Sequence, residues 1–346
     1  MTVFALERWR REARQPEIQA DRCRASVMLF DFSFMSVVRI SGSDAASVIS
    51  RYVRRDVSQM LPGSIRYCLH SDFTGRVLSD LTVWRLNGQT FDVMSGARQD
   101  AENLINQASR KTTVQDLSES TAIFSVQGPM SLAQVLPACE SSNLKELGYF
   151  WFCDLDIHGV PARIGRLGYT GERGFEIVVD ATYARGLWAS LSRHIEVAGF
   201  AVADILRIEA GFALFCNEFT IGATTGELAL DGFVDVTCDA SVALKSLVCF
   251  TATAKERPVL WQRPQDVASA PETGELLATS ACFSPLAGSV LGLGYVSTWD
   301  KRAASPLIDP LGNFDEIRLQ RRPFFDPKKR VVSGGWDQHL HPILAT

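Results

Sequence analysis

The chain has 346 residues, 46% of them hydrophobic and 21% charged, with a formal net charge of −4. That is globular composition, long enough for two domains and a sizeable core. There is no basic stripe to argue for nucleic acid, and no run of about 18 apolar residues to argue for a membrane span.

Eight cysteines lie at positions 23, 68, 139, 153, 216, 238, 249 and 282. They form no Cys-x-x-Cys pair and stand at no zinc spacing from a His, so they read as small buried residues in a reducing compartment. The five His residues make no metal pattern either, and His339-Leu340-His341 falls in a tail. The first residues lack an apolar signal core, and the expectation is a cytoplasmic protein.

Arg8, Arg10, Arg11 and Arg14 suggest an N-terminal helix with a solvated basic face. Val37 to Ile40 predicts a strand. Ser43 then suits the N-cap of a helix whose buried face is Ala45, Val48, Ile49, Tyr52 and Val53. Leu81 to Leu86 and Phe91 to Met94 predict two strands joined at Asn87-Gly88, a strong hairpin signal. Ala101, Leu104, Ile105 and Ala108 mark a second amphipathic helix, and Ala122 to Val126 and Ala162 to Leu167 two more strands. Further helices are expected over Tyr183 to Val197 and Asp204 to Phe215. After about residue 245 helical periodicity fades and short apolar runs alternate with Pro and Gly, which predicts a small separate β-domain. Strands and helices mixed without a strict βαβ rhythm argue an α+β fold.

The densest signal is Gly168-Tyr169-Thr170-Gly171-Glu172-Arg173-Gly174-Phe175-Glu176-Ile177, a glycine-punctuated turn running into a strand. Phe175, Ile177 and Val179 alternate with Glu176 and Val178, so Glu176 points to the opposite face. A carboxylate fixed behind a rigid turn suits a ligand with paired N–H donors; the same pattern also fits a hairpin with a solvated Glu. Other blocks follow a consistent order: Phe30-Asp31-Phe32-Ser33-Phe34-Met35, Gly75-Arg76-Val77-Leu78-Ser79-Asp80-Leu81, Gln127-Gly128-Pro129, Leu206-Arg207-Ile208-Glu209-Ala210-Gly211, Ser284-Pro285 with Leu291 to Val296, and Arg322-Pro323-Phe324-Phe325.

Over residues 26 to 326 this set resembles the glycine-cleavage T-protein superfamily, the tetrahydrofolate-dependent aminomethyltransferases and their demethylase relatives. The resemblance implies two interlocked α+β folate-binding subdomains over 1–245, a C-terminal β-barrel over 246–330 and a tail over 331–346, the lobes enclosing a folate channel. By spacing alone Asp80 reads as an acid at a strand start. The resemblance makes it the catalytic carboxylate beside the reactive folate nitrogens, with Ser79 where the motif carries a first Asp. It also implies that Glu176 accepts hydrogen bonds from the pterin, and that Arg207, near a helix start, contacts the pterin carbonyl or orders that carboxylate. Tyr169 would stack on or hydrogen-bond the same ligand, Trp84 becomes an aromatic wall of the pocket and Met35 lines it; Tyr169 also suits a turn residue packed on the barrel, and Trp84 and Met35 ordinary core packing.

There are departures. Phe34 stands where the motif has His, Thr224-Thr225-Gly226-Glu227 lacks the usual Pro, and no Phe-x-Gly-Trp precedes Asp31. The folate end is kept better than the donor end. The function expected is transfer of a methyl or methylene (aminomethyl) group from a small donor to N5 of tetrahydrofolate, with the carbon unit supplied by a small molecule or by a partner protein. The alternatives are a non-catalytic folate-binding protein of iron–sulfur maturation, whose Lys-Gly-Cys-Tyr-x-Gly-Gln-Glu motif is absent here, and the folate subunit of a flavin-dependent amine oxidase.

Overall fold

The computed structural model describes residues 15–139, 142–235, 243–258, 260–264, 270–303 and 306–336. The Arg8 to Arg14 helix, Cys238 and the His339–His341 tail lie outside them.

The chain begins with α1 (Pro16–Ala25), β1 (Met28–Asp31), β2 (Ser36–Ser41), α2 (Ala45–Val53), β3 (Ile65–Ser71), β4 (Val77–Arg85), β5 (Thr90–Ser95), α3 (Gln99–Asn106), β6 (Thr113–Asp116) and β7 (Thr121–Gln127). It continues through α4 (Ser131–Val135), β8 (Phe152–Ile157), β9 (Val160–Gly165), β10 (Gly174–Asp180), α5 (Ala181–Leu191) and α6 (Phe200–Glu209). The last part holds β11 (Lys245–Ala254), β12 (Trp261–Gln262), β13 (Leu276–Ser284), β14 (Ser289–Ser297), α7 (Thr298–Ala303), β15 (Phe314–Gln320) and α8 (Arg330–Ser333).

Three five-stranded sheets result, in the orders β3-β4-β5-β2-β6, β1-β7-β10-β9-β8 and β12-β13-β14-β11-β15. Their ladders are antiparallel. The chain places β1 in the second sheet, leaves to build the whole first sheet, and returns with β7 beside β1. The two α+β units are therefore threaded through each other. The barrel expected near the C-terminus is represented by the third sheet; no ladder joins its edge strands β12 and β15 among the described residues.

Strand alternation sorts side chains into layers. On β4, Leu81 and Val83 join the core under α2, while Trp84 joins a central core. On β10, Phe175, Ile177 and Val179 join a core under α5, while Val178 turns to the central one. The central core thus lies between the first two sheets and continues onto α6 and the inner face of the third.

Several element predictions meet their limits here. The α2 face is as read, with Ala45, Val48, Ile49, Tyr52 and Val53 buried, but its N-cap is Asp44, whose side chain makes no capping bond. In α3 Ala101 and Leu104 are buried while Ile105 is exposed; Asp100 takes the inward place. The α5 helix stops at Leu191, short of the predicted Val197. The α6 helix begins four residues before the predicted Asp204 and stops at Glu209, where Gly211 turns left-handed at φ 68°. Every residue of α6 is buried, so it shows no polar face from which its ends could be read.

Candidate functional site

Asp80 lies on β4 opposite Leu69, with its side chain on the face shared by Thr82 and Trp84. It is half-buried, and the Tyr67 hydroxyl of the neighbouring strand donates to its Oδ2 at 3.1 Å. Burial pushes its pKa up to about 6; the Tyr67 bond opposes that shift, and the negative charges of Asp100 and Glu218 add to it.

Glu176 faces the same central layer from the second sheet. It sits on β10 between Ser125 of β7 and Gly165 of β9, on the face of Val178. Its residue is 6% exposed, and no hydrogen-bond partner for its carboxylate occurs among the described residues. Burial alone raises its pKa to about 7. The Tyr149 hydroxyl is close enough to feel that charge. The loop before β10 is held by close backbone approaches. Gly174 lies against the Val126 carbonyl, where a Cβ would meet the oxygen at 2.4 Å. Gly171 has φ 77° and packs on Ala210, so both glycines are required by the turn.

Trp84 connects the two acids. Its indole is fully buried, its Nε1 donates to Thr82 Oγ1 at 2.9 Å, and its ring tilts against Phe152 at 5.3 Å. The ring lies on the Cα of Gly165, the β9 partner of Glu176, where a Cβ would come within 2.2 Å. Trp84 is therefore a packing residue between the sheets. Met35 is half-buried against the same core.

Tyr169 is half-buried, stacks on Phe212 at 5.9 Å and donates its hydroxyl to the Ala213 carbonyl at 2.7 Å. Burial drives its pKa up, the Arg207 charge opposes this, and Asp80 and Glu218 reinforce it. Tyr169, Asp80, Glu218 and Arg207 thus form one electrostatic group.

Arg207 differs from its expected place. It lies in the last turn of α6, not near the start, and is fully buried. Its Nε donates to Asp204, its Nη1 to Glu218 Oε2 at 2.9 Å and to the Phe212 carbonyl at 3.2 Å, and its Nη2 to Ser280 Oγ at 2.8 Å. Those donors serve the protein. The guanidinium ties α6 to the third sheet and fixes the Phe212–Glu218 segment that carries the Tyr169 partners.

The sequence reading missed Tyr67 and Glu218. Tyr67 had a findable signal: once β3 and β4 pair as a hairpin, it falls opposite Thr82, two residues from Asp80. Glu218 had none. It lies in an irregular segment, yet it is fully buried, accepting from Arg207, the Leu214 amide at 2.7 Å, Thr279 at 2.8 Å and Ser280.

Comparison with known proteins adds four findings. The GCVT N-terminal domain family matches the chain over residues 4–238. A "Probable aminomethyltransferase" of Natronomonas pharaonis is 31% identical over 296 residues, covering 80% of this chain and 81% of its own. An "Aminomethyltransferase" of Streptomyces coelicolor is 29% identical over 344 residues, covering 92% and 91%. Among solved structures, the glycine cleavage system aminomethyltransferase T from Bartonella henselae superposes with a TM-score of 0.68 over 82% of each chain at 24% identity, a likeness of fold.

Proposed function

The chain belongs to the GCVT N-terminal domain family, and on that premise we propose that it is a tetrahydrofolate-dependent one-carbon transferase. The observation that carries this reading is Glu176, a carboxylate on a residue only 6% exposed, to which no hydrogen bond is donated among the described residues. A buried acceptor without a partner is costly, and a ligand that brings its own N–H donors removes that cost. A pterin edge has such donors, so the chain's residues fit the folate.

Glu176 would hold the pterin, with Tyr169 beside it and Met35 on the wall. Trp84 and Arg207 act behind these groups, setting the distance between the sheets and the position of the Tyr169 loop. Tetrahydrofolate supplies the N5 nucleophile that takes the carbon unit. Asp80, ionised above about pH 6, stabilises positive charge on the nitrogens next to the transferred carbon and can take a proton there. The unit is methylene, delivered as an aminomethyl group by a small amine or by a partner protein, or methyl, taken from a small donor.

The methyl reading draws on the donor end. Phe34 meets Phe32 and Phe200 edge-on at 5.8 and 5.9 Å, an apolar aromatic surface where the resembled motif carries an imidazole. Single-turnover transfer to tetrahydrofolate, with methylated amines, a sulfonium and an aryl methyl ether as donors, tests the proposal. Transfer from one of them is expected, and Asp80→Asn should lose roughly 100-fold or more of it while still binding folate. Folate binding with no transfer from any donor or carrier protein would place the chain with the non-catalytic folate binders instead.

A further inference from the structure

Behind Asp80, on the other face of β4, lies a second buried acid. Asp100, in the first turn of α3, is 3% exposed. It accepts hydrogen bonds from the Tyr52 hydroxyl at 2.5 Å and from Ser79 Oγ at 2.8 Å, and Ser95 Oγ donates to its other oxygen. The three donors come from three elements, α2, β4 and β5, and all three residues are buried. Tyr52 is itself held by stacking on His70 at 4.0 Å and 8°. No cation pairs with Asp100 among the described residues; hydroxyl donors alone hold it, the arrangement expected around an ionised carboxylate. Ser95 also reaches the Asp80 carbonyl at 3.4 Å.

Ser79 and Asp80 are consecutive on one strand, so one side chain goes to Asp100 and the next to the site. Resting on the transferase reading for its purpose, we propose that Asp100 is a positioning residue for Asp80: it anchors β4 through Ser79 and sets a fixed negative charge one strand-thickness behind the catalytic carboxylate. Ser79, which stands where the resembled motif has an acid, therefore does not remove the neighbouring charge; it hands that place to Asp100.

The other groups facing Asp80 are Tyr67 on β3, Tyr169 in the loop before β10, and Glu218 after α6, whose charge Arg207 balances. Arg322 acts on Tyr67 from the C-terminal part. Of the two acids that hold the Asp80 proton in place, Asp100 is the one with no cationic partner among the described residues, and its removal should act in full.

The test is an NMR titration of protein labelled at the Asp side-chain carboxyl carbons, with no folate present. The Asp80 signal is assigned by its loss in Asp80→Asn. In the intact protein its midpoint is expected near the value of about 6 set by burial and these charges. Asp100→Asn should lower it by about half a unit or more, a ~3-fold change in proton affinity. Ser79→Ala keeps the charge, removes a donor that spreads it, and should raise the midpoint. If Asp100→Asn does not fold, Ser79→Ala decides alone. An unmoved midpoint in the folded variants overturns the proposal, since a purely structural anchor would change stability and leave the titration where it was. Because no folate is used, that failure would leave the transferase reading standing, and failure of the intact protein to bind folate would leave this one standing.

Discussion

A buried carboxylate resists ionisation unless a donor compensates, and among the described residues none donates to Glu176, whose pKa burial raises to about 7. The folded protein holds this proton between the unfolded value of 4.5 and about 7, so stability falls as pH rises through that window. Glu176→Gln should therefore be the more stable protein at pH 8, by roughly 2–3 kcal/mol in a urea unfolding series. Folate donors favour the ionised acid, so binding by the intact protein should strengthen as pH rises through 7, with release of a proton measurable by calorimetry in buffers of different ionisation heat. A variant both more stable and unable to bind is the mark of a residue kept for a ligand. Asp80 differs by having Tyr67 as a donor, and its lower value of about 6 predicts that transfer falls off on the acid side of pH 6. The Glu176 side was legible from strand alternation. The Tyr67–Asp80 bond becomes legible only once β3 is paired with β4 in register, a step that single-strand alternation does not supply.

At the scale of elements, periodicity was informative wherever an element has one wet face. It read the buried face of α2 residue by residue. It failed on α6, which is enclosed on all sides and carries its charges inward, with Arg207 between Asp204 and Glu218. In α3 the apolar Ile105 points out and Asp100 in, an inversion that hydrophobicity cannot reveal and that hydroxyls from Tyr52, Ser79 and Ser95 make affordable. Arg207→Met would leave two buried acids facing each other. A loss of about 3–5 kcal/mol, read as a lowered denaturation midpoint, is expected. Folate binding should weaken only as far as the Tyr169 loop loosens. A variant of unchanged stability that binds no folate would instead make Arg207 a direct ligand contact.

At the scale of the molecule, the site exists because two sheets face one core. The interlock that brings them together, β1 in one sheet and β2 in the other, involves pairings far apart in the chain, and no local pattern announces it. One charged group spans the two sheets: Asp92 of β5 is buried, binding Arg39 at 2.8 Å within its own sheet and Arg163 of β9 at 3.1 Å in the other. Asp92→Asn should cost about 1–3 kcal/mol of stability, and should weaken folate binding more than an equally destabilising change in the third sheet would. The central claim is that Glu176 and Asp80, carried by different sheets, close on one folate. Calorimetric titration with tetrahydrofolate at pH 8, on the intact protein, Glu176→Gln and Asp80→Asn, tests it most directly. Micromolar binding is expected of the intact protein and of Asp80→Asn, with a loss of at least ~10-fold in Glu176→Gln; equal binding by all three, or none by the intact protein, would contradict a folate held between the two sheets.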